Sequence, residues 1–320
     1  MKAAVVHTFG RPPRFEEFPE PTAGEGEVRV SVRAAGLHPV VKALASGSHY
    51  ASTHVLPLIP GIDGVGFLDD GTRVYFSMDR PPYGTMAERA VVPRDMCIPI
   101  PDSLDAVTAA ALFNPALSSW FALTRAEFAP GETVLILGAT GAAGKLAVQV
   151  AKHLGAGKVI ALGRNAQALS ELPALGVDVT ISLNQSDQDL TAAIANAAGA
   201  TGIDIIIDYL WGRPTEAVIA AITRQGMMHM APRVRLIQVG QMAGPTITLP
   251  GSVLRGSGLE IFGSGAGTIP TERIREAVTR LMAEAASGKL RVDVEPVPLA
   301  EIEAAWDRQS TDNRRIVILP

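Results

Sequence analysis

Apolar positions follow two different rhythms along this chain. Near the start, Val28-Arg29-Val30-Ser31-Val32-Arg33-Ala34-Ala35 alternates apolar and polar residues, the period of a strand with one buried face. Shorter strand-like pieces follow at Gly64-Val65-Gly66-Phe67-Leu68 and Arg73-Val74-Tyr75-Phe76. Turn signals at Pro12-Pro13, Pro60-Gly61, Asp70-Gly71 and Pro81-Pro82 separate the pieces of this region. In the middle third the strands become short branched runs, as at residues 133–137, 158–162, 203–207, 234–239 and 259–262, with a shorter piece at 179–182. Runs of this kind belong to strands covered on both faces. Between them lie helical patterns: Leu146, Ala147, Val150, Ala151 and Leu154, then residues 190–198, then a segment opening near Pro214. Alternation of strand and helix predicts an α/β fold with a doubly wound parallel sheet.

The ends of the chain read differently. Residues 1–7 form a first strand, too short and too soon interrupted for a signal peptide. Near the C-terminus, Ile274, Val278, Leu281, Met282 and Ala285 line one helix face, and residues 292–297 and 316–319 read as strands rejoining the N-terminal β region. The expected domains are therefore 116–264 for the parallel sheet and 1–115 with 265–320 for the other, leaving a cleft where ligands bind in such folds. Residues 106–124 carry no charge and are nearly long enough to cross a bilayer. Asn114, Pro115, Ser118 and Ser119 interrupt them, so two buried helices meeting near Pro115 are expected instead.

Chemistry concentrates at Gly138-Ala139-Thr140-Gly141-Ala142-Ala143-Gly144, set between an apolar strand and a helix. A glycine turn there lets the backbone approach a pyrophosphate, and the helix N-terminus offers it amides and a positive dipole end. Where such a site takes NAD, a carboxylate about 20 residues on holds the ribose 2′-hydroxyl. Here the next strand ends in Gly163-Arg164-Asn165, with no carboxylate before Glu171. A guanidinium grips a 2′-phosphate through two parallel hydrogen bonds. The expected cofactor is NADPH, with Arg164 on the phosphate and Asn165 nearby, against the plainer reading of Arg164 as a solvated loop residue.

Composition narrows the classes. A chain of 320 residues, 47% hydrophobic, supports two full cores, and a net charge of −4 with no basic stripe argues against nucleic acid as a partner. The single cysteine, Cys97, leaves no disulfide framework or cysteine-rich zinc lobe and fits a reducing cytoplasm. No membrane partner is expected. The apolar edge near residues 259–262 suggests pairing with a second copy.

Several motifs together resemble the medium-chain dehydrogenase/reductase superfamily, in its zinc-free quinone oxidoreductase branch. They are Met1-Lys2-Ala3, Gly24-Glu25-Gly26-Glu27-Val28, Pro60-Gly61-Ile62-Asp63-Gly64-Val65-Gly66, Gly84-Thr85-Met86-Ala87-Glu88, the glycine turn, and Arg315-Ile316-Val317-Ile318. The resemblance implies a Rossmann domain plus a GroES-like β-rich domain, a homodimer, and NADPH-dependent reduction of a quinone or α,β-unsaturated carbonyl. It also implies that Val239-Gly240-Gln241 and Phe262-Gly263-Ser264 present backbone groups to the nicotinamide amide. Zinc enzymes of this superfamily place a cysteine where this chain has His38 and a histidine–glutamate pair where it has Ile62-Asp63. A substitute set of His38, His49, His54 and Asp63 has no spacing that selects tetrahedral geometry. Without a Lewis acid, the acceptor must be an already activated small-molecule electrophile.

The chain departs from the branch in the loop that lines its substrate cleft. An Asn, an Asp and an Arg of the family pattern fall here at His38, Val41 and Ala45. A family lysine and tyrosine near the cofactor fall at about Gln167 and Leu183, so the grip is expected to centre on Arg164, with Arg314 as a second candidate. Candidates for proton donor or oxyanion partner are Tyr50, His49 and His38, in that order. Asn114, Met78, Tyr83 and Trp211 are candidate pocket walls. Two alternatives stay open: an enoyl-thioester reductase, and a non-catalytic NADPH-binding protein such as a redox sensor.

Overall fold

The computed structural model describes all residues except 78–79, 224–231, 266, 268 and 309–313. Met78 lies outside the described residues. Contacts divide the chain into two units, Met1–Asn114 with Pro270–Pro320, and Pro115–Ile269.

In the first unit the strands run β1 (Lys2–Val5), β2 (Arg14–Glu17) and β3 (Glu27–Gly36), then helix α1 (Pro39–Ala45). Next come β4 (Asp63–Leu68), β5 (Arg73–Ser77), β6 (Arg89–Pro93), β7 (Cys97–Pro99) and helix α2 (Ala106–Arg125), within which the division between units falls. The alternation along β3 works as the sequence implies: Val30 and Val32 are buried while Arg29 and Arg33 face outward.

The second unit contains β8 (Thr133–Leu137), α3 (Ala142–His153), β9 (Lys158–Gly163), α4 (Ala166–Glu171), β10 (Val179–Ser182), α5 (Asp187–Ala198) and β11 (Ile205–Asp208). It continues with α6 (Arg213–Ile222), β12 (Arg233–Gln238), α7 (Gly251–Gly256) and β13 (Gly258–Gly263). Its six strands pair in parallel, in the order β10-β9-β8-β11-β12-β13. Every residue of β8 is buried, because helices cover both faces of such a sheet. Leu135, Ile136, Leu137, Ile160 and Leu162 are fully enclosed, and each side chain of this size contributes about 1.5–3 kcal/mol by leaving water. Strand order reverses between β8 and β11, which makes the carboxyl ends of those two strands the switch point of the sheet.

The chain then returns to the first unit through α8 (Thr271–Ala286), β14 (Val294–Pro298), α9 (Ile302–Trp306) and β15 (Arg315–Leu319). Pairing of β15 with β3 places this last strand in a seven-stranded sheet, ordered β14-β15-β3-β4-β5-β7 with β6 on β3.

One expectation is corrected. Residues 106–125 form one continuous helix, not two meeting at Pro115. A proline inside a helix costs about 3 kcal/mol, but Ala111, Leu112 and Phe113 before it and Ala116, Ala122 and Leu123 after it are fully buried, and their packing offsets that loss. By length and composition the helix could cross a membrane, yet 61% of its most apolar window is buried inside the fold.

Candidate functional site

The glycine turn lies at the switch point, between the end of β8 and the start of α3. Gly138 and Ala139 donate their amides to Leu162 O on β9, at 3.0 and 2.9 Å, which fixes the turn against the neighbouring strand. Gly141 is the N-cap of α3 and makes no side-chain cap. The amides of the first helical turn, Ala142, Ala143 and Gly144, therefore have no intrahelical acceptors. Gly144 is required by contact: a Cβ there would stand 2.2 Å from Gly138 O and 2.5 Å from the Ala139 Cα. Thr140 lies in the turn with its side chain against Gly163, where a Cβ would stand 2.3 Å from its Cγ2. This is a cradle of backbone donors at a positive dipole end, and it fits a pyrophosphate.

Gly163 ends β9, and Arg164 follows it, exposed to solvent. Asn184 donates its side-chain amide to Arg164 O at 2.8 Å and so holds the backbone of this corner. Asn165 has a separate job: its Oδ1 accepts from Ala168 N at 3.0 Å and caps α4. Glu171, the first acidic residue downstream, is paired with Lys145 at 3.3 Å. The corner thus offers a guanidinium and no carboxylate of its own, a set that fits a 2′-phosphate.

At the end of β12, the amides of Val239 and Gly240 both donate to Asp208 O, at 2.8 and 3.1 Å. Gly240 O accepts from the Gln238 side chain, and Gln241 O accepts from Gly244 N. The Val239 and Gly240 amides are thus spent inside the fold, tying this strand end to Asp208. Phe262 and Gly263 close β13, with the Arg125 guanidinium 5.6 Å from the Phe262 ring centre. Ser264 N donates to Gln238 O at 2.9 Å.

Asp208 itself ends β11 and is fully buried. Its Oδ1 accepts from Leu210 N (2.8 Å) and Trp211 N (2.9 Å), and its Oδ2 from the Thr215 hydroxyl (2.6 Å). Burial pushes the Asp208 carboxyl pKa up, while these hydrogen bonds oppose the shift. Next to it, the Tyr209 hydroxyl meets Ser118 Oγ at 2.9 Å, and burial raises the phenol to about 12. Sequence reasoning singles out Trp211, Val239 and Gly240 but neither Asp208, which they meet, nor Thr215. The one signal it offers is a lone acid closing an apolar strand.

In the first unit the candidates separate. His49 and Tyr50 stack with ring centres 4.2 Å apart, and Tyr50 is 85% exposed. Partial burial lowers the His49 pKa, and its Nδ1 accepts from Ala51 N at 3.2 Å. His38 is instead fully enclosed just before α1, with Nε2 3.1 Å from Asp63 Oδ1. The second oxygen of Asp63 accepts from the Tyr75 hydroxyl at 2.9 Å, and its carbonyl accepts from Thr85 at 2.8 Å. Burial and then the Asp63 charge push the Tyr75 phenol well above its usual range. Arg315 is half-buried nearby; burial lowers its pKa to about 10 against the attraction of Asp63. Sequence reasoning misses Tyr75 and Arg315 as neighbours of the His38–Asp63 pair, because their meeting depends on three strands coming together. Arg314 is exposed just before β15. Among the walls, Asn114 is half-buried in α2 and Tyr83 stands edge-on to Phe18 at 5.8 Å.

A family model described as zinc-binding dehydrogenase matches residues 142–284. The chain is 29% identical to a probable NADPH-dependent quinone reductase of Emericella nidulans, with both chains covered in full. It is 30% identical to quinone oxidoreductase-like protein 2 of Bos taurus, over 79% of this chain and 72% of that protein. The solved structure of the quinone oxidoreductase from Thermus thermophilus, studied also in complex with NADPH, is 29% identical, covers all of both chains and superposes with a TM-score of 0.83. The chain belongs to the medium-chain dehydrogenase/reductase superfamily, in its quinone oxidoreductase branch.

Proposed function

We propose that this protein is an NADPH-dependent reductase of quinones or α,β-unsaturated carbonyls, and that it works without zinc. The observation that carries the reading is the switch-point cradle of β8 and α3 with Arg164, rather than a carboxylate, at the end of β9. The names of the Emericella nidulans and Thermus thermophilus relatives support the same cofactor and acceptor class.

When bound, NADPH supplies a hydride from C4 of its dihydronicotinamide. In this reading the first-turn amides of α3 would hold the pyrophosphate, and Arg164 would hold the 2′-phosphate. Reduction of an enone or a quinone by that hydride would leave negative charge on the substrate's carbonyl oxygen, which the protein would have to stabilise and protonate. Tyr50 and His49 are the proposed proton donors; His38 ranks below them because its Nε2 is committed to Asp63. If they act so, Tyr50→Phe or His49→Asn lowers kcat about a hundredfold with NADPH affinity unchanged.

Zinc fits these residues poorly. The position of the first ligand is His38, engaged by Asp63; the second is Ile62, which has no donor atom. Both oxygens of Asp63 are already engaged, one by His38 and one by Tyr75. The family model named for zinc begins at residue 142, beyond all of these positions. For assembly, β13 is an edge strand whose ladder is open on one side, which supports pairing with a second copy.

The test is steady-state NADPH oxidation with a quinone, an enone and an enoyl-CoA as acceptors. Turnover of the first two, insensitive to a chelator, is expected. Preference for the enoyl-CoA would favour a thioester reductase, and tight NADPH binding with no turnover would make the protein a non-catalytic binder.

A further inference from the structure

Trp211 has a backbone φ of +56°, a left-handed conformation that a bulky aromatic residue rarely adopts. It does not lie at the C-terminal end of a helix, where such a φ is common. What holds it is the Asp208 carboxylate, whose Oδ1 takes the amides of Leu210 and Trp211 together. Asp208 is anchored in turn by Thr215 at the start of α6, and its carbonyl by Val239 and Gly240 at the end of β12. The turn is also laced across to the next loop, Ala243 N donating to Leu210 O at 2.7 Å and Met242 N to Tyr209 O at 3.3 Å. A strained conformation persists only where its surroundings over-determine it, and such residues gather at ligand sites.

Location gives the strain a use. Trp211 stands three residues beyond the end of β11, and β11 and β8 flank the switch point of the sheet, where ligands of open α/β sheets bind. Leu210, its neighbour, presses on the glycine turn itself: its Cδ2 lies 3.2 Å from where a Cβ of Gly138 would stand. The adenosine half of a dinucleotide belongs to the β9 side of the turn, where Arg164 is. The β11 side is left for the nicotinamide half. Trp211 packs partly against the core of this unit and is half-buried, so the rest of its surface is open for contact.

We infer that Trp211 is a wall of the nicotinamide mononucleotide subsite, and that Asp208 is the positioning residue that holds it there. This rests on the NADPH reading above. The strain is retained because the indole packs against the nicotinamide–ribose half of the cofactor.

Trp211→Gly removes the indole and relaxes the backbone, since glycine accepts a positive φ freely. NADPH should bind at least about tenfold more weakly to it, a loss of about 1.4 kcal/mol, while Tm reports separately the balance of relieved strain and lost indole packing on the core. Trp211→Asn, whose short side chain also tolerates this conformation, should behave alike and serves if the glycine variant folds poorly. Energy transfer from tryptophan emission to the bound dihydronicotinamide should fall strongly in Trp211→Phe and little in Trp120→Phe. Asp208→Ala should weaken NADPH as Trp211→Gly does, and Asp208→Asn, which keeps an acceptor for the two amides, should restore most of the affinity. A wild-type protein that binds NADPH, with Trp211→Gly and Trp211→Asn binding it equally well at a lower Tm, would make Trp211 simple packing and overturn the inference. Failure of the wild type to bind NADPH would overturn the proposed function and this inference together.

Discussion

Asp208 and Asp63 are both enclosed carboxylates at the ends of strands, yet they are satisfied by different kinds of partner. Backbone amides and one threonine hydroxyl surround Asp208, so its neighbours cannot change charge. Asp63 faces His38 and Tyr75 and feels the charge of the half-buried Arg315, all of them ionisable side chains. The first arrangement fixes a main-chain path and makes a rigid rim for a ligand. The second fixes side chains and holds charge inside a β-rich unit, where removing one partner strands the others. Two acids of similar burial can therefore do different work, and the donor set decides which.

The sharpest way to break this comparison is Asp63→Ala. It leaves the His38 ring and the Tyr75 hydroxyl without their acceptor and Arg315 without its counter-charge, so a loss of about 3 kcal/mol or more in urea unfolding is expected. Asp208→Ala, by contrast, exposes no stranded charge and should cost about 1–3 kcal/mol for its unpaired amides and hydroxyl. Equal losses would mean that the donor set does not matter. Gly144→Ala tests the cradle: a Cβ driven against Gly138 O should cost about 1–3 kcal/mol of stability through overpacking and weaken NADPH, measured by calorimetry.

How far these regions are legible in the sequence follows the same division. Uninterrupted apolar strands at β8, β9 and β11 announce a parallel sheet, because burial on both faces leaves no polar positions to confuse the period. The glycine turn can be read for the same local reason. Helix α2 departs from expectation at Pro115, since a local breaker signal loses to burial spread along the whole helix. Asn165 is expected near the cofactor, but its spacing from Ala168 makes it the cap of α4, a simpler local signal. The His38–Asp63–Tyr75 cluster is invisible in sequence because its members lie 25 and 12 residues apart and meet only through strand register. The φ of Trp211 cannot be read at all, being imposed by a side chain three residues earlier.

Smaller effects refine the β9 corner. Arg164→Ala should raise KM for NADPH about tenfold to a hundredfold, the worth of hydrogen bonds to a charged group, and leave KM for NADH nearly unchanged. An equal change for both cofactors would move the 2′-phosphate elsewhere. Asn165→Ala should cost only about 1 kcal/mol of stability, as loss of a helix cap does, with little change in cofactor preference.

The most direct test of the account as a whole is NADPH oxidation by the purified protein, with a quinone or an enone as acceptor, before and after exhaustive chelation. Unchanged turnover after chelation is the expected result. Activity that vanishes with the chelator and returns with added zinc would contradict it.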